Sequence, residues 1–453
     1  MPVDLIPIEM QKSFADLENN GKFSPKQLNE QTLNNLDKIK IIGIVGSRGK
    51  TTTAKVIHEY LRAKGFKSML YSSAEIYSPA GNSKPGEGSE TPLLNLGVLL
   101  RIIYEAEIFQ PDYLVLEVNE SSIVNGITKD IPFTVRVLTN IFKNHHIDQE
   151  PSDTYVNSIK SFFRNASLEE VSVNVFGATG DIAKEELKEL LNINNKRSFT
   201  FGSVYTAEQK NIDYTKFDTI MHFCEHSLEG MEIHLRVKGE FFKFATQMIM
   251  PYNALNIICA ITVLAALNIF ETEAFLNVIQ DVQVQGREEV FLFENCKVIV
   301  GMFLDPALDY LKNYQLNGEI NKIRLVTGAS GTGFKGWEPI FKSDFYISQR
   351  AKIRKQAMDY IKSLADFIYL TENDSAAEDA LAICEELQTY LDNKIPSEII
   401  LNRQEAIKKA IIECEYNDVV FITGRGSRKI LATGETEMKS LKDSEVVKKV
   451  MEE

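Results

Sequence analysis

The residues with the clearest capacity for chemistry lie in one short run, GIVGSRGKTTT, at positions 43–53. Gly46 and Gly49 let the backbone turn tightly and aim N–H groups at phosphate oxygens. Ser47 and Arg48 lie between them, and Thr52 continues the run. Lys50 follows within reach of β and γ phosphates, and the Thr51 hydroxyl suits a Mg²⁺ ion. The spacing G-x-x-G-K-T is shorter than the common nucleotide loop, because position 44 is Ile. A glycine turn between two core elements is the plainer alternative.

Two further segments carry groups that belong beside such a loop. PDYLVLEVNESS, at 111–122, ends an apolar run in Glu117 and then Glu120. A carboxylate at the carboxyl end of a strand next to a phosphate loop sits where Mg²⁺ or an attacking group would be. Either glutamate could instead be a solvated loop residue. FTVRVLTNI, at 133–141, runs into FKNHHIDQE, which places His145 and His146 close to Asp148 after a third strand. Paired histidines in a polar loop are often only solvated, so His146 is a candidate and His145 a weaker one.

These side chains need elements to hold them, and the flanks supply the pattern. KIKIIGIV, at 38–45, is a short apolar and β-branched run that predicts a buried parallel strand. TTTAKVIHEYLRAKG, from 51, spaces Ala54, Val56, Ile57, Tyr60 and Leu61 as a helix would and stops at Gly65. Strand, glycine loop and helix is the context a phosphate loop requires.

Composition sets the limits. A chain of 453 residues predicts two or three domains, and 44% hydrophobic with 25% charged residues predicts a globular fold. Fifty basic residues against 63 acidic ones give a formal charge of −13, which repels a nucleic-acid backbone and argues against nucleic acid as a general partner. Cys224, Cys259, Cys296, Cys384 and Cys414 are scattered, with no CxxC pair, so neither a zinc site nor a disulfide framework is indicated. No apolar stretch reaches membrane-spanning length and the start lacks a leader pattern. The expectation is a cytoplasmic protein with no membrane partner.

Several segments together carry a resemblance. GSRGKTTT at 46–53, ETPLLNLG at 90–97, LVLEVNESS at 114–122, TNIFKNHHID at 139–148, YNALNIICAITVLAALNI at 252–269, GREEV at 286–290 and NRQEAIKKAI at 402–411 occur in the order seen in the Mur ligase family, which the chain resembles from about residue 38 onward. The resemblance implies ATP and Mg²⁺ as cofactors and a carboxylate–amine ligase. In that family a substrate carboxylate is phosphorylated, an amine attacks the acyl phosphate, and the amide forms with release of ADP and phosphate. It further implies Lys50 at the transferring phosphoryl, Thr51 and Glu117 as ligands of a first Mg²⁺, and His146 as a ligand of a second. Lys160, twelve residues beyond Asp148, matches a lysine that is often carbamylated in relatives, and is otherwise an ordinary surface lysine. Asn253 matches an asparagine that contacts adenine, although the asparagine expected three residues earlier is Met250. The partners implied are a small-molecule carboxylate acceptor and an amino acid or other amine.

The expected fold class is α/β. Residues 1–37 read as a short helical segment starting at Ser24-Pro25, too short for the domain that holds a UDP-sugar in peptidoglycan ligases, which weakens the case for a UDP-linked substrate. Residues 38–284 read as a central phosphate-loop domain with a mostly parallel sheet, and 217–250 as an antiparallel attachment to it. Residues 285–453 read as a C-terminal dinucleotide-fold-like domain with strands in KVIVGMF, KIRLVTGA, DFIYLT and DVVFITGRG, and the site is expected in a cleft between the two domains.

The C-terminal part departs from the tripeptide-forming relatives. GMFLDP at 301–306 puts Gly301 and Leu304 where they have a carboxylate and a histidine. SGTGFKGWEP at 330–339 keeps Gly331, Gly336 and Pro339 but loses their charged triplet. NDSA at 373–376 replaces their D-N-P-R, and GRGSR at 424–428 their G-K-G-H-E. Diaminopimelate addition is therefore not expected. Arg287, Lys335, Arg403, Arg425 and Arg428 remain as cations that could hold carboxylates or nucleotide, or serve only as surface charges. Two alternatives stand beside the ligase: a Mur-like nucleotide-binding scaffold without ligation, and a carboxylate-activating subunit working with a partner glutaminase.

Overall fold

The structure is a computed structural model, and it describes residues 36, 38–78, 96–142, 152–164, 172–193, 196–332, 344–428, 430–433, 436–439 and 442–453. The expected helix at the N-terminus, His145, His146, Asp148, Lys335, Gly336 and Pro339 lie outside the described residues. The chain divides into two compact units between Val282 and Gln283.

In the first unit the elements that matter for the site are β1 (Lys40–Val45), α1 (Lys50–Ala63), β2 (Ser68–Tyr71), β3 (Ile76–Tyr77), α2 (Leu96–Phe109), β4 (Tyr113–Glu117), α3 (Glu120–Val124), β5 (Phe133–Leu138), α4 (Ser152–Arg164), β6 (Val173–Gly177), α5 (Lys184–Leu191), β7 (Arg197–Ser203), β8 (Thr219–Ser227), β9 (Gly230–Val237), β10 (Glu240–Thr246) and α6 (Tyr252–Ala266). One ten-stranded sheet runs in the order β10-β9-β8-β7-β6-β5-β1-β4-β2-β3. Its seven strands from β8 to β2 are parallel, whereas β3, β9 and β10 join antiparallel. The antiparallel attachment expected over 217–250 is thus β8 to β10.

The apolar runs explain the parallel part. After Lys40, every residue of β1 is buried, and so is every residue of β4, as strands covered on both faces require. Residues Leu114, Leu116, Phe133, Leu138, Phe163 and Phe176 share one core with Leu99 and Ile102 of α2. Helix α6 is apolar almost all round, is buried accordingly, and packs on α1. The chain runs from β1 to β2 and returns to β4 on one side of β1, then crosses from β4 to β5 on its other side. The carboxyl ends of these three strands therefore open together, the position where α/β sheets bind ligands.

The second unit holds β11 (Glu289–Leu292), β12 (Cys296–Val300), β13 (Ile323–Thr327), β14 (Phe367–Leu370), β15 (Ser397–Ile399), α7 (Arg403–Ile412), β16 (Asp418–Ile422) and α8 (Asp443–Glu452). Its six-stranded sheet has the order β11-β12-β16-β13-β14-β15, parallel except for the β11 edge, with the order reversing between β13 and β16. The dinucleotide-fold-like reading is met, with β11 and β15 added at the two edges to the four strands expected. The cysteine expectation needs a correction. Cys296 and Cys414, 118 residues apart, form a disulfide with Cα atoms 6.4 Å apart, because β12 and β16 are paired neighbours and Cys414 lies just ahead of β16. Among the described residues, no helix is long and apolar enough to cross a membrane.

Candidate active site

The run from Gly46 to Lys50 leaves β1 as a tight loop and enters α1. Gly46 has φ +137° and Gly49 φ +83°, backbone states open to glycine and strained for other residues. Space is equally restrictive: a Cβ on Gly46 would lie 2.2 Å from Thr139 Oγ1, and one on Gly49 2.0 Å from Asn256 Oδ1. Gly49 stands at the N-cap of α1, so the helix's opening N–H groups, which lack intrahelical acceptors, face the same opening as the loop. Lys50 Nζ folds back over the loop and donates to Gly46 O at 2.8 Å and Ser47 O at 3.4 Å. That holds its charge where the loop would receive phosphate.

Beside it is an oxygen cluster. Thr51 Oγ1 donates to Glu117 Oε2 at 3.0 Å, Ser73 N–H donates to the same oxygen at 2.8 Å, and the hydroxyls of Thr51 and Ser73 are 2.9 Å apart. Thr51 and Glu117 come from the start of α1 and the end of β4. Ser73 follows β2, the other neighbour of β4, and no motif in the sequence marks it. Two hydroxyls and a buried carboxylate form a hard-oxygen set suited to Mg²⁺, which keeps part of its water shell and asks for few protein ligands. Thr52, in the first turn of α1, is buried.

Glu120 opens α3. Burial raises its carboxyl above the usual range, while a hydrogen bond with Ser158 of α4 works the other way. It also lies close enough to Tyr155 to raise the tyrosine hydroxyl's pKa, a smaller effect there than burial. Tyr155 in turn places its hydroxyl 2.9 Å from Ser47 Oγ.

The other expected residues engage neighbours within their own units. Lys160, on α4, is nearly buried, with Nζ 2.8 Å from Glu189 Oε2 and 3.4 Å from Glu186 Oε1, both on α5. These contacts engage the Lys160 amine with the carboxylates of α5. Asn253 is also engaged internally. Its Nδ2 donates to Ile249 O and its Oδ1 accepts from Asn256 Nδ2, each at 3.0 Å, and Asn256 is the residue that a Cβ on Gly49 would meet. Met250 holds φ +70°, a state that asparagine adopts more easily than methionine.

In the second unit, Arg287 donates from Nη1 to Gly286 O at 3.1 Å, next to the loop at Gly426. Arg403 is locked in a two-point pair with Asp443, at 2.7 and 2.9 Å, and donates to Thr423 O. Arg425 is fully buried and shares Asp374 with Arg428, at 2.8 and 2.9 Å. Arg428, about one third exposed, is the more open of that pair.

Comparison with known proteins identifies the family. The Mur ligase middle domain matches residues 44–264, and the Mur ligase, glutamate ligase domain matches 307–426. The UDP-N-acetylmuramoyl-L-alanyl-D-glutamate--2,6-diaminopimelate ligase of Aquifex aeolicus is 25% identical over 422 residues, covering 92% of this chain and 78% of that protein. The folylpolyglutamate synthase of Thermotoga maritima superposes with a TM-score of 0.60 at 16% identity, over 92% of this chain and 93% of that one. The MurF ligase of Thermotoga maritima, solved in complex with ADP, gives 0.57 at 15% identity, over 91% and 79%. With both domains matched in order, the chain belongs to the Mur ligase family and is by class an ATP-dependent ligase that forms amide bonds.

Proposed function

We propose that this protein phosphorylates the carboxylate of a small-molecule acceptor with ATP and joins the resulting acyl phosphate to an amino acid or another amine. The observation that carries the reading is the Thr51, Ser73 and Glu117 oxygen cluster set directly beside Lys50 and the glycine loop. Phosphoryl transfer asks chiefly for positioning and charge neutralisation. Lys50 moves from its loop carbonyls to the β and γ oxygens, and the N–H groups opening α1 take the remaining charge. Thr51 and Glu117 would hold Mg²⁺, which supplies neutralisation of the phosphate oxygens when bound. His146 is carried over from the family pattern as a further metal ligand, and Arg287 as a nucleotide contact. The central domain is assigned to residues 38–284 and the C-terminal domain to 285–453, with Arg428 available to the amine or the acceptor carboxylate. A cytoplasmic location accompanies this reading, because ATP is the co-substrate.

Water must be kept from an acyl phosphate, so ATP turnover should be coupled to substrate. The test is a screen of carboxylic acids with amines for ADP release, with amide measured in parallel. ADP release that needs both an acid and an amine, with amide formed in equal amount and lost in Lys50→Ala, is the expected result. Nucleotide binding without turnover on any pair from a broad library, or equal rates in Lys50→Ala, would overturn it.

A further inference from the structure

We propose that Asn140 and Tyr155 are positioning residues for the nucleotide: they fix the front half of the phosphate loop from outside, so that its back half can receive phosphate. The inference rests on the reading of residues 46–51 as the ATP loop and goes beyond it, to side chains outside the loop.

The peptide groups of Ser47 and Arg48 lie between two glycines, and glycine imposes little conformation of its own. Asn140 supplies what the loop lacks. Its backbone carbonyl accepts from Ser47 N–H at 3.1 Å, its Oδ1 accepts from Arg48 N–H at 3.0 Å, and its Nδ2 donates to Arg48 O at 2.9 Å. Thr139 Oγ1 donates to that same carbonyl at 2.7 Å. Holding Arg48 O in this way matters electrostatically, since a carbonyl oxygen turned toward the triphosphate would repel it. The Ser47 side chain is fixed as well. Its Oγ accepts from Phe142 N–H at 2.8 Å and lies 2.9 Å from the Tyr155 hydroxyl. Ser47, Thr139, Asn140 and Tyr155 are all buried, so these bonds form away from competing water.

The chemistry needs an amide at position 140. One planar group donates to Arg48 O and accepts from Arg48 N–H, which aspartate cannot do, and aspartate would add a negative charge near the phosphates. Tyr155 belongs to α4, more than one hundred residues beyond the loop, and nothing in its local sequence marks it.

The experiment compares Asn140→Asp and Tyr155→Phe, both close to isosteric, with wild type and Lys50→Ala. ADP affinity is measured by calorimetry, KM for ATP and for the acid and amine by kinetics, and folding by thermal melting. Loss of hydrogen bonds of ordinary strength predicts about a 10-fold or greater rise in ADP Kd and ATP KM for Asn140→Asp, and about 3-fold for Tyr155→Phe. The KM for acid and amine should stay unchanged, and Tyr155→Phe should melt near wild type. The proposal is overturned if both variants bind ADP as wild type does while Lys50→Ala is impaired. It is equally overturned if affinity for every substrate falls together with the melting temperature, since that marks a merely structural role. Unimpaired nucleotide binding in Lys50→Ala would instead remove the loop assignment itself.

Discussion

Thr51 and Glu117 are 66 residues apart in sequence, yet the Thr51 hydroxyl donates to Glu117 Oε2 at 3.0 Å. The pairing of β1 with β4, which sets Ile44 opposite Glu117, brings the end of one strand level with the loop that leaves the other. Register alone thus delivers a carboxylate to the start of α1.

That relationship separates the two glutamates. Glu117→Ala should lower metal-dependent turnover by about 100-fold or more, because an ion that has lost its protein carboxylate no longer neutralises the transferring phosphoryl. Glu120→Ala, whose side chain faces Ser158 and Tyr155, should cost less. Turnover against Mg²⁺ concentration reads both, and a larger loss for Glu120→Ala would reassign the metal carboxylate.

Gly49→Ala should impair both folding and nucleotide binding. The φ of +83° and the 2.0 Å approach to Asn256 Oδ1 together predict a loss of roughly 1–3 kcal/mol from backbone strain, with further cost from displacing Asn256. Denaturant unfolding and ADP binding check it. A variant as stable as wild type would mean that the loop relaxes freely.

Lys160 between Glu186 and Glu189 predicts turnover that does not depend on bicarbonate. Lys160→Met should destabilise the fold by about 1–2 kcal/mol, less than a fully buried pair, because Glu189 is half exposed. Activity lost in carbon dioxide-depleted buffer and restored by bicarbonate would return Lys160 to the carbamate role.

His58 gives the first unit a specific acid sensitivity. It is fully buried against Ser68, and burial, reinforced by Lys55 and Arg62, depresses its pKa to about 3. The unfolded chain binds a proton near pH 6.5 and the folded chain does not, so stability is complete above that pH and falls as pH drops from 6.5 toward 3. Between pH 7 and pH 5 the loss from this group is about 2 kcal/mol. Urea unfolding at the two values should show a smaller difference in His58→Gln than in wild type, and an equal difference would assign the acid sensitivity elsewhere.

The sequence by itself determined what short-range pattern can encode. Glycines 46 and 49 ahead of Lys50 and Thr51, apolar β-branched runs for β1, β4 and β5, the helical spacing of α1 and the antiparallel segment after 217 were all legible. Each depends on neighbours within a few residues, where backbone sterics and hydrophobic periodicity act directly. The tertiary structure decided which distant groups meet at the loop. Ser73, Asn140, Tyr155 and Asn256 reach it from 22 to more than 200 residues away, and local spacing does not show that any of them meets the loop. The same holds for the partners of Lys160, for the internal amide pair of Asn253 and Asn256, and for the joining of Cys296 to Cys414. In a parallel sheet the spatial order of strands differs from their chain order, and crossovers return each carboxyl end to one edge. Contacts at that edge follow from strand order and register, which are set by packing of the whole sheet rather than by any one segment.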